Sequence, residues 1–282
     1  MESLLSMAFT YLSSHDGGKI HKGLRQLEGL LAQICLSRSG STPVAEKRRS
    51  VAIGEAQKNA PKDLFELKDD PAFMEFFKLQ NGFQWNVAQQ LIECLERLFS
   101  RGDSGQFDLL FVSTLDLLHG ILLIHPPSRA LFARGRKMEL LLDLLDPSSC
   151  PAIQSAAILT LASALLSHPK NTRTFENLDG LLTVTSLFKS LSTSREVKMR
   201  TLSFLYFYLM PETPHNDYDT PPSEKRNPSK HKRQNSVFAT EEDDEETRTT
   251  IEKQRLLGRY LSNVEGLVED LRESTPFETA VT

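Results

Sequence analysis

The segment between Leu115 and Leu209 matches itself at a shift of 43 residues. One shift carries Leu118–Pro126 onto Leu161–Pro169, and a second shift carries the pattern onto residues 204–209. The equivalent positions are Leu118, Leu161 and Phe204; Leu122, Leu165 and Tyr208; His125 and His168; and Phe132 and Phe175. A period of about 40–47 residues without strand signals is typical of armadillo and HEAT repeats. The sequence therefore predicts an all-α fold, namely an armadillo/HEAT-like helical repeat solenoid with disordered insertions.

Composition and periodicity divide the chain into six segments. Solenoid ends need a cap with a polar outer face, and the amphipathic start of the chain fits that role. In order, we predict N-terminal capping helices (1–36), a mobile basic loop (37–62), armadillo-like helical repeats (63–211), a disordered linker with a basic and then an acidic run (212–250), a C-terminal amphipathic helix (251–273) and a tail (274–282).

Each regular repeat is predicted to contain a long helix ending at His-Pro, a short crossing helix and a third helix. Proline ends the long helix because its ring disfavours the helical conformation of the preceding residue. We interpret His125 and His168 as C-terminal caps, since a partly charged imidazole is favourable at the negative end of a helix. A metal or catalytic role is less favoured because no carboxylate or thiol stands with them at ligand spacing.

Charge and apolar content exclude some classes of partner. The net charge of -4 disfavours nucleic acid, because phosphate binding needs a basic face. The most apolar stretch, 107–125, contains Asp108, Asp116 and His119, so we interpret it as a buried helix and expect no membrane insertion. The N-terminus has no basic region before its apolar residues, which disfavours a secretory signal. A cytoplasmic protein is expected.

The sequence carries no recognisable catalytic or metal-binding motif. GxGxxG, Walker, HExxH, GxSxG and CxxC patterns are all missing from it. Its three cysteines, Cys35, Cys94 and Cys150, are far apart and odd in number, which predicts free thiols in a reducing compartment. We therefore expect a binding scaffold with no enzyme activity, no cofactor and no metal.

Two stretches carry more apolar surface than one repeat can bury. Phe204–Leu209 covers every face of a helix with large apolar side chains, so something besides its own repeat should pack on it. The amphipathic helix at 251–273 either folds back along the solenoid, which we favour, or binds another chain. The candidate partner surface comprises Phe204, Tyr206, Phe207, Tyr208, Leu257, Tyr260, Leu261, Val264, Leu267 and Leu271.

Two serines in the polar segments are candidate phosphorylation sites. Arg48 and Arg49 precede Ser50, and Arg233 lies three residues before Ser236, patterns that suit basophilic kinases. A solvated basic loop is the competing interpretation for the first pattern. Phosphate would add strong acceptors and about two negative charges, which could dock an arginine-bearing partner.

Three stretches resemble one known family. They are Gly23–Leu31, the aromatic segment Arg200–Glu212 and the C-terminal stretch Lys253–Arg272. Together they are similar to the fungal cell division control protein 14 family, a component of the septation initiation network that is unrelated to the phosphatase of similar name. The resemblance covers nearly the whole chain outside the two polar segments.

The resemblance implies a regulatory partner of a germinal-centre-type protein kinase. In that family the complex acts at the spindle pole body to trigger septum formation and cytokinesis. The alternative is a general armadillo-type scaffold for interaction or transport that binds extended peptides. Such peptide grooves usually carry a ladder of asparagine and tryptophan, whereas this chain has one tryptophan, Trp85, outside the regular repeats. That difference favours the kinase adaptor.

Overall fold

A computed structural model describes residues 1–36, 62–101, 105–212, 247–267 and 269. Within these ranges the chain is built from helices and the turns that join them, which confirms the all-α prediction. Most of the predicted basic loop, most of the predicted linker and the tail lie outside the described residues. Ser50, Ser236 and Leu271 therefore lie outside them as well.

The chain opens with two helices that pack against each other, α1 (Glu2–Leu12) and α2 (Gly17–Cys35). Gly17 and Gly18 form the first turn of α2, although paired glycines usually favour a break in a helix. The Asp16 side chain accepts a hydrogen bond from the Gly18 N–H at 2.9 Å, so it caps α2, which begins at Gly17.

The next helices begin at residues that their local sequence favours. After α3 (Leu64–Asp69), Asp70 accepts hydrogen bonds from the first free N–H groups of α4 (Pro71–Gln80), and proline stands at the first helical position, which it favours. Trp85 does not begin the following helix. It ends a 3₁₀ turn (Phe83–Trp85), and Asn86 caps α5 (Val87–Phe99).

Two successive units then show the same order of elements. The first contains α6 (Asp108–Ile124), a 3₁₀ helix (Pro126–Ala133) and α7 (Gly135–Asp143). The second contains α8 (Pro151–Leu165), α9 (Pro169–Asn177) and α10 (Gly180–Lys189), and α11 (Arg195–Leu209) follows. The second long helix ends at Leu165, earlier than predicted, because the backbone turns at Ser167, whose φ is 50°.

The long helices form the centre of the molecule. Helix α6 packs against α5 and α8, and α8 packs against α11. Phe132 and Phe175, which stand at equivalent positions in the short crossing helices, are buried at the corners. This arrangement buries one apolar cluster that runs from α1 to α12.

The interpretation of the repeated histidines as partly charged C-terminal caps is correct only in the position of His125, which is the C-cap of α6, whereas the C-cap of α8 is Leu166. His125 is 1% exposed, and burial lowers its pKa to about 4, so its imidazole is neutral near neutral pH. Its Nδ1 lies 2.8 Å from Ser128 Oγ and its Nε2 lies 3.0 Å from Asn81 Oδ1, partners that suit a neutral ring. His168 Nδ1 accepts from the Asn171 N–H, so this side chain caps the start of α9.

The single C-terminal helix predicted over 251–273 is interrupted. Helix α12 (Thr250–Leu257) begins with a capping box between Thr249 and Glu252 and ends at Gly258. Turns follow, and helical structure resumes at Val264. The hydrophobic periodicity continues through Gly258, but the helical conformation of the backbone ends there.

None of the described helices is by itself long and apolar enough to cross a membrane. Only α6 and the 3₁₀ helix after it pass that test when taken together, by length and composition, and they are bent by 116°.

Candidate interaction surfaces

Helix α11 contributes less surface than its sequence predicts. Phe204 and Tyr208 are 2% and 1% exposed, so the structure places them in the core and not on a partner surface. Their rings lie 5.6 Å and 6.3 Å from the ring of Phe175. Tyr206 and Phe207 are half-buried. Leu205 and Leu209 are also buried, so four of the six residues between Phe204 and Leu209 pack in the core.

The C-terminal segment folds back on the chain itself, in the arrangement that we favoured. Helix α12 packs on α11, and Leu257 and Val264 are buried. Tyr260, Leu261 and Leu267 are half-buried against the same apolar cluster. This segment therefore covers the apolar surface of α11 that a single repeat leaves open.

A buried group of charges holds this segment in place. The Tyr208 hydroxyl donates a hydrogen bond to Glu176 Oε1 at 2.7 Å. Glu176 Oε2 also forms an ion pair with the Arg248 guanidinium and lies 3.1 Å from Arg173 Nη1. Burial and the Glu176 carboxylate raise the pKa of the Tyr208 phenol, so the phenol remains a hydrogen-bond donor.

Glu212 is the second carboxylate of this group. Its carboxylate forms an ion pair with the Arg173 guanidinium and accepts a hydrogen bond from the Arg248 backbone N–H at 2.9 Å. It also lies 3.2 Å from Lys253 Nζ. Lys253 also donates to the Met210 carbonyl at 2.9 Å. Burial lowers the pKa of Lys253, and Glu212 opposes that shift. We call Arg173, Glu176, Tyr208, Glu212, Arg248 and Lys253 the C-terminal clamp.

The clamp also corrects two predicted segment boundaries. Glu212 and Arg248 belong to the predicted linker, yet the Glu212 N–H donates to the Arg248 carbonyl at 3.1 Å. Both ends of that linker are thus fixed on the helices. Lys62, predicted within the mobile basic loop, pairs with Asp70 and donates to the Ile34 carbonyl.

A groove lies on a different part of the surface, between α7 and α10. Its volume is about 1050 Å³. The ends of α5, α6 and α8 and the loop from Leu144 to Cys150 complete its walls. None of the predicted surface residues lines it.

The accessible floor of the groove is apolar. Phe99 and Leu182 are 44% and 46% exposed, and Phe111 and Leu178 are half-buried. Buried leucines, among them Leu142, support this floor from below. Large apolar side chains so exposed in a concave surface indicate a contact with another apolar surface.

The rim of the groove is acidic. Asp108, Glu139, Asp143 and Asp146 line it, whereas none of its described lining residues is lysine, arginine or histidine. Burial and the neighbouring carboxylates Glu139 and Asp146 raise the pKa of Asp143. In the described part of the chain no ion pair reaches these four carboxylates.

The described residues hold no group of three or more His, Cys, Asp or Glu side chains arranged to bind a metal ion. The three cysteines are free thiols. The C-terminal clamp combines apolar packing with ion pairs, and the groove combines an apolar floor with an acidic rim.

Comparison with known proteins identifies the family. The family model described as "Cell division control protein 14, SIN component" matches residues 1–277. The chain belongs to this family. It is 30% identical over 285 residues to "Cell division control protein 14" of Schizosaccharomyces pombe, covering 98% of this chain and 97% of the relative. No solved structure matches. The family resemblance inferred from the sequence is confirmed, and with it a place in septation and cell division.

The groove of this cell division control protein 14 family member was missed in the sequence. Its acids are separated along the chain, because Asp108 begins α6 while Glu139 and Asp143 lie on α7. The one available signal was on α7, where Glu139 and Asp143 stand four residues apart on one face; Arg136 is at helical spacing from Glu139 but pairs with Glu96 in the structure.

Proposed function

We propose that this chain is a non-catalytic regulatory adaptor that binds and activates a germinal-centre-type protein kinase of the septation initiation network. In this role it controls septum formation and cytokinesis, and it is a cytoplasmic protein recruited to the spindle pole body. Family membership over residues 1–277 supports a role in that network. The resemblance described above supports the kinase as the partner.

The observation that carries a binding role is the open groove between α7 and α10. Its floor exposes Phe99 and Leu182, and this chain places no described segment over them. By contrast, the aromatic helix α11 is already covered by α12. An exposed concave apolar surface in a helical protein is best explained by a protein partner.

An armadillo-like architecture is part of this proposal. The repeated order of a long, a short and a third helix supports it, as do side-chain hydrogen bonds that join neighbouring units. Asn86 Nδ2 donates to Ser128 Oγ at 3.1 Å, and Asn171 Nδ2 donates to the Arg129 carbonyl at 2.8 Å. Ser128 and Asn171 are equivalent in the 43-residue repeat, so successive units are linked at the same position.

The second candidate function is a general armadillo-type scaffold that binds extended peptides. The groove itself favours this reading, because it lies between the third helices of two successive units. Its described lining holds no asparagine and no tryptophan, however, and Trp85 packs against Phe9 elsewhere. The lining therefore lacks the side chains with which an extended backbone is usually held, and the kinase adaptor remains the better proposal.

Reconstitution with purified proteins tests the adaptor role. The full chain would be mixed with a purified germinal-centre-type kinase from the same network, and binding and phosphorylation of a generic substrate would be measured together. We expect a stable complex and a kinase rate that rises with adaptor concentration until it saturates. A chain that neither binds nor activates the kinase would contradict the proposal, and binding without activation would limit it to scaffolding.

A further inference from the structure

We propose that the groove between α7 and α10 receives a basic amphipathic helix of a partner protein. The apolar face of that helix would pack on the apolar floor of the groove, and its lysine or arginine side chains would pair with the carboxylates of the acidic rim. This inference rests on the proposed function in taking the kinase as the partner.

The apolar part of the recognition lies across the groove. Phe99 and Phe111 come from α5 and α6, whereas Leu182 comes from α10 and Leu178 caps the end of α9. Apolar side chains on both sides of the groove can meet a partner helix whose apolar residues recur at spacings of three and four along one face. A groove between helices therefore suits a helix that presents residues i, i+3, i+4 and i+7.

The charge of the partner follows from the rim. Glu139 and Asp143 stand one turn apart on α7, Asp146 follows them, and Asp108 lines the same groove from α6. Ser148 donates hydrogen bonds to Asp146, but in the described structure no ion pair reaches any of the four carboxylates. Lysine or arginine side chains from a partner would pair with these carboxylates, whereas an acidic partner would be repelled by them.

Asp143 stands at an unfavourable position for a negative charge in the isolated chain. It is the last residue of α7, where the helix dipole disfavours negative charge. Its partial burial is the main cause that raises its pKa, and Glu139 and Asp146 raise it further. The Asp143 carboxylate is therefore less favourable in the isolated chain than beside a cation supplied by a partner.

The test uses a fluorescent synthetic peptide of about 18 leucine and lysine residues, with leucines at helical spacings of three and four. Its affinity for the full chain would be measured by fluorescence anisotropy. The Glu139→Lys/Asp143→Lys double variant is compared with Glu28→Lys/Glu75→Lys, which changes net charge equally at exposed helical positions outside the groove. Leu182→Asp removes apolar contact while adding a negative charge.

We expect the groove double variant to bind the peptide about tenfold more weakly, with the control double variant close to wild type. Leu182→Asp should also bind more weakly, although its added charge attracts the peptide. Equal weakening by both double variants, or tighter binding by Leu182→Asp, would overturn the proposal, because binding would then follow net charge alone. Occupation of the groove by the chain's own basic run at 225–233 would also overturn it; deleting that run would then strengthen peptide binding.

The kinase provides the separate readout. If the kinase binds wild type and the groove double variant equally, the groove inference fails while the adaptor proposal stands. If the kinase binds neither, and the peptide still distinguishes the variants, the proposed function fails while the groove chemistry stands.

Discussion

The Tyr208 hydroxyl donates a hydrogen bond to Glu176 Oε1 at 2.7 Å, which joins the aromatic helix α11 to helix α9. Both groups are buried, and the same carboxylate also binds Arg248 from the C-terminal segment. A residue that the sequence presents as a partner contact thus serves as an internal link. The partner surface that we propose is therefore the groove and not α11.

Tyr208→Phe tests the value of this link. Loss of the hydroxyl leaves a buried carboxylate with one donor fewer, which should lower the free energy of unfolding by about 1–2 kcal/mol. Chemical denaturation measures it. Tyr11→Phe is the control, because Tyr11 is only half-buried and its ring contact with Lys22 is retained, so little change is expected. An equal, small effect of both substitutions would show that the Tyr208 hydrogen bond contributes nothing.

Glu212→Ala should open the C-terminal clamp. The substitution leaves Arg173 and Lys253 without their shared carboxylate, and breaking a buried pair in this way costs about 3 kcal/mol. Hydrogen exchange should accelerate in α12. Glu28→Ala removes an exposed contact with Arg25 at 3.9 Å and should change stability by less than about 0.5 kcal/mol. Unchanged protection of α12 in Glu212→Ala would contradict this role.

The buried imidazole of His125 predicts a pH dependence. Its pKa falls from an ordinary value near 6.5 to about 4 on folding, so between these values the unfolded chain binds a proton that the folded chain does not. Stability from this residue is full above pH 6.5 and is lost as the pH falls, by about 2 kcal/mol between pH 7 and pH 5.

His125→Gln isolates that contribution, because every other titrating group is shared. The variant should lose about 2 kcal/mol less than wild type between pH 7 and pH 5, whatever its stability at pH 7. His21→Gln, at an exposed position of α2, should retain the wild-type slope. Identical slopes for wild type and His125→Gln would mean that His125 is not held neutral.

Gly180 is a position where any side chain collides with the core. A Cβ atom there would lie 2.2 Å from ring carbons of Phe175 and 2.6 Å from its carbonyl oxygen. Phe175 lies on α9, and its buried ring packs against Phe204 and Tyr208 of α11, so the ring cannot move away without a large cost. Gly180→Ala should therefore cost about 3 kcal/mol.

The matched control for that substitution is Gly29→Ala. Gly29 lies on an exposed face of α2 with nothing within 4 Å of an added Cβ, so alanine should stabilise the helix by about 0.5–1 kcal/mol. Thermal unfolding of the two variants should therefore shift in opposite directions. A stable Gly180→Ala protein would contradict the close approach of α10 to Phe175.

Local signals in the sequence predicted most of the helices because their causes are local. Proline at 71 and caps at Asp70 and Ser194 act within a few residues, and the structure begins helices there. The interruption of the C-terminal helix at Gly258 was missed, because the apolar periodicity continues through it and a single glycine lowers helix stability by only about 1 kcal/mol.

The surfaces were harder to predict because they depend on tertiary contacts. Hydrophobicity could not separate Phe204 and Tyr208, which pack in the core, from Phe99 and Leu182, which remain exposed. Nor could it show that Glu212 and Arg248, at either end of a long polar stretch, meet on α9 and α11. The groove arises only when α7 and α10 are placed side by side.

The decisive measurement is the affinity of the purified kinase for the Glu139→Lys/Asp143→Lys variant. We expect this variant to bind the kinase at least about tenfold more weakly than wild type while it remains folded, which circular dichroism checks. The Glu28→Lys/Glu75→Lys control should bind normally. Wild-type affinity of the groove variant for the kinase would contradict the proposal that the kinase binds in the groove between α7 and α10.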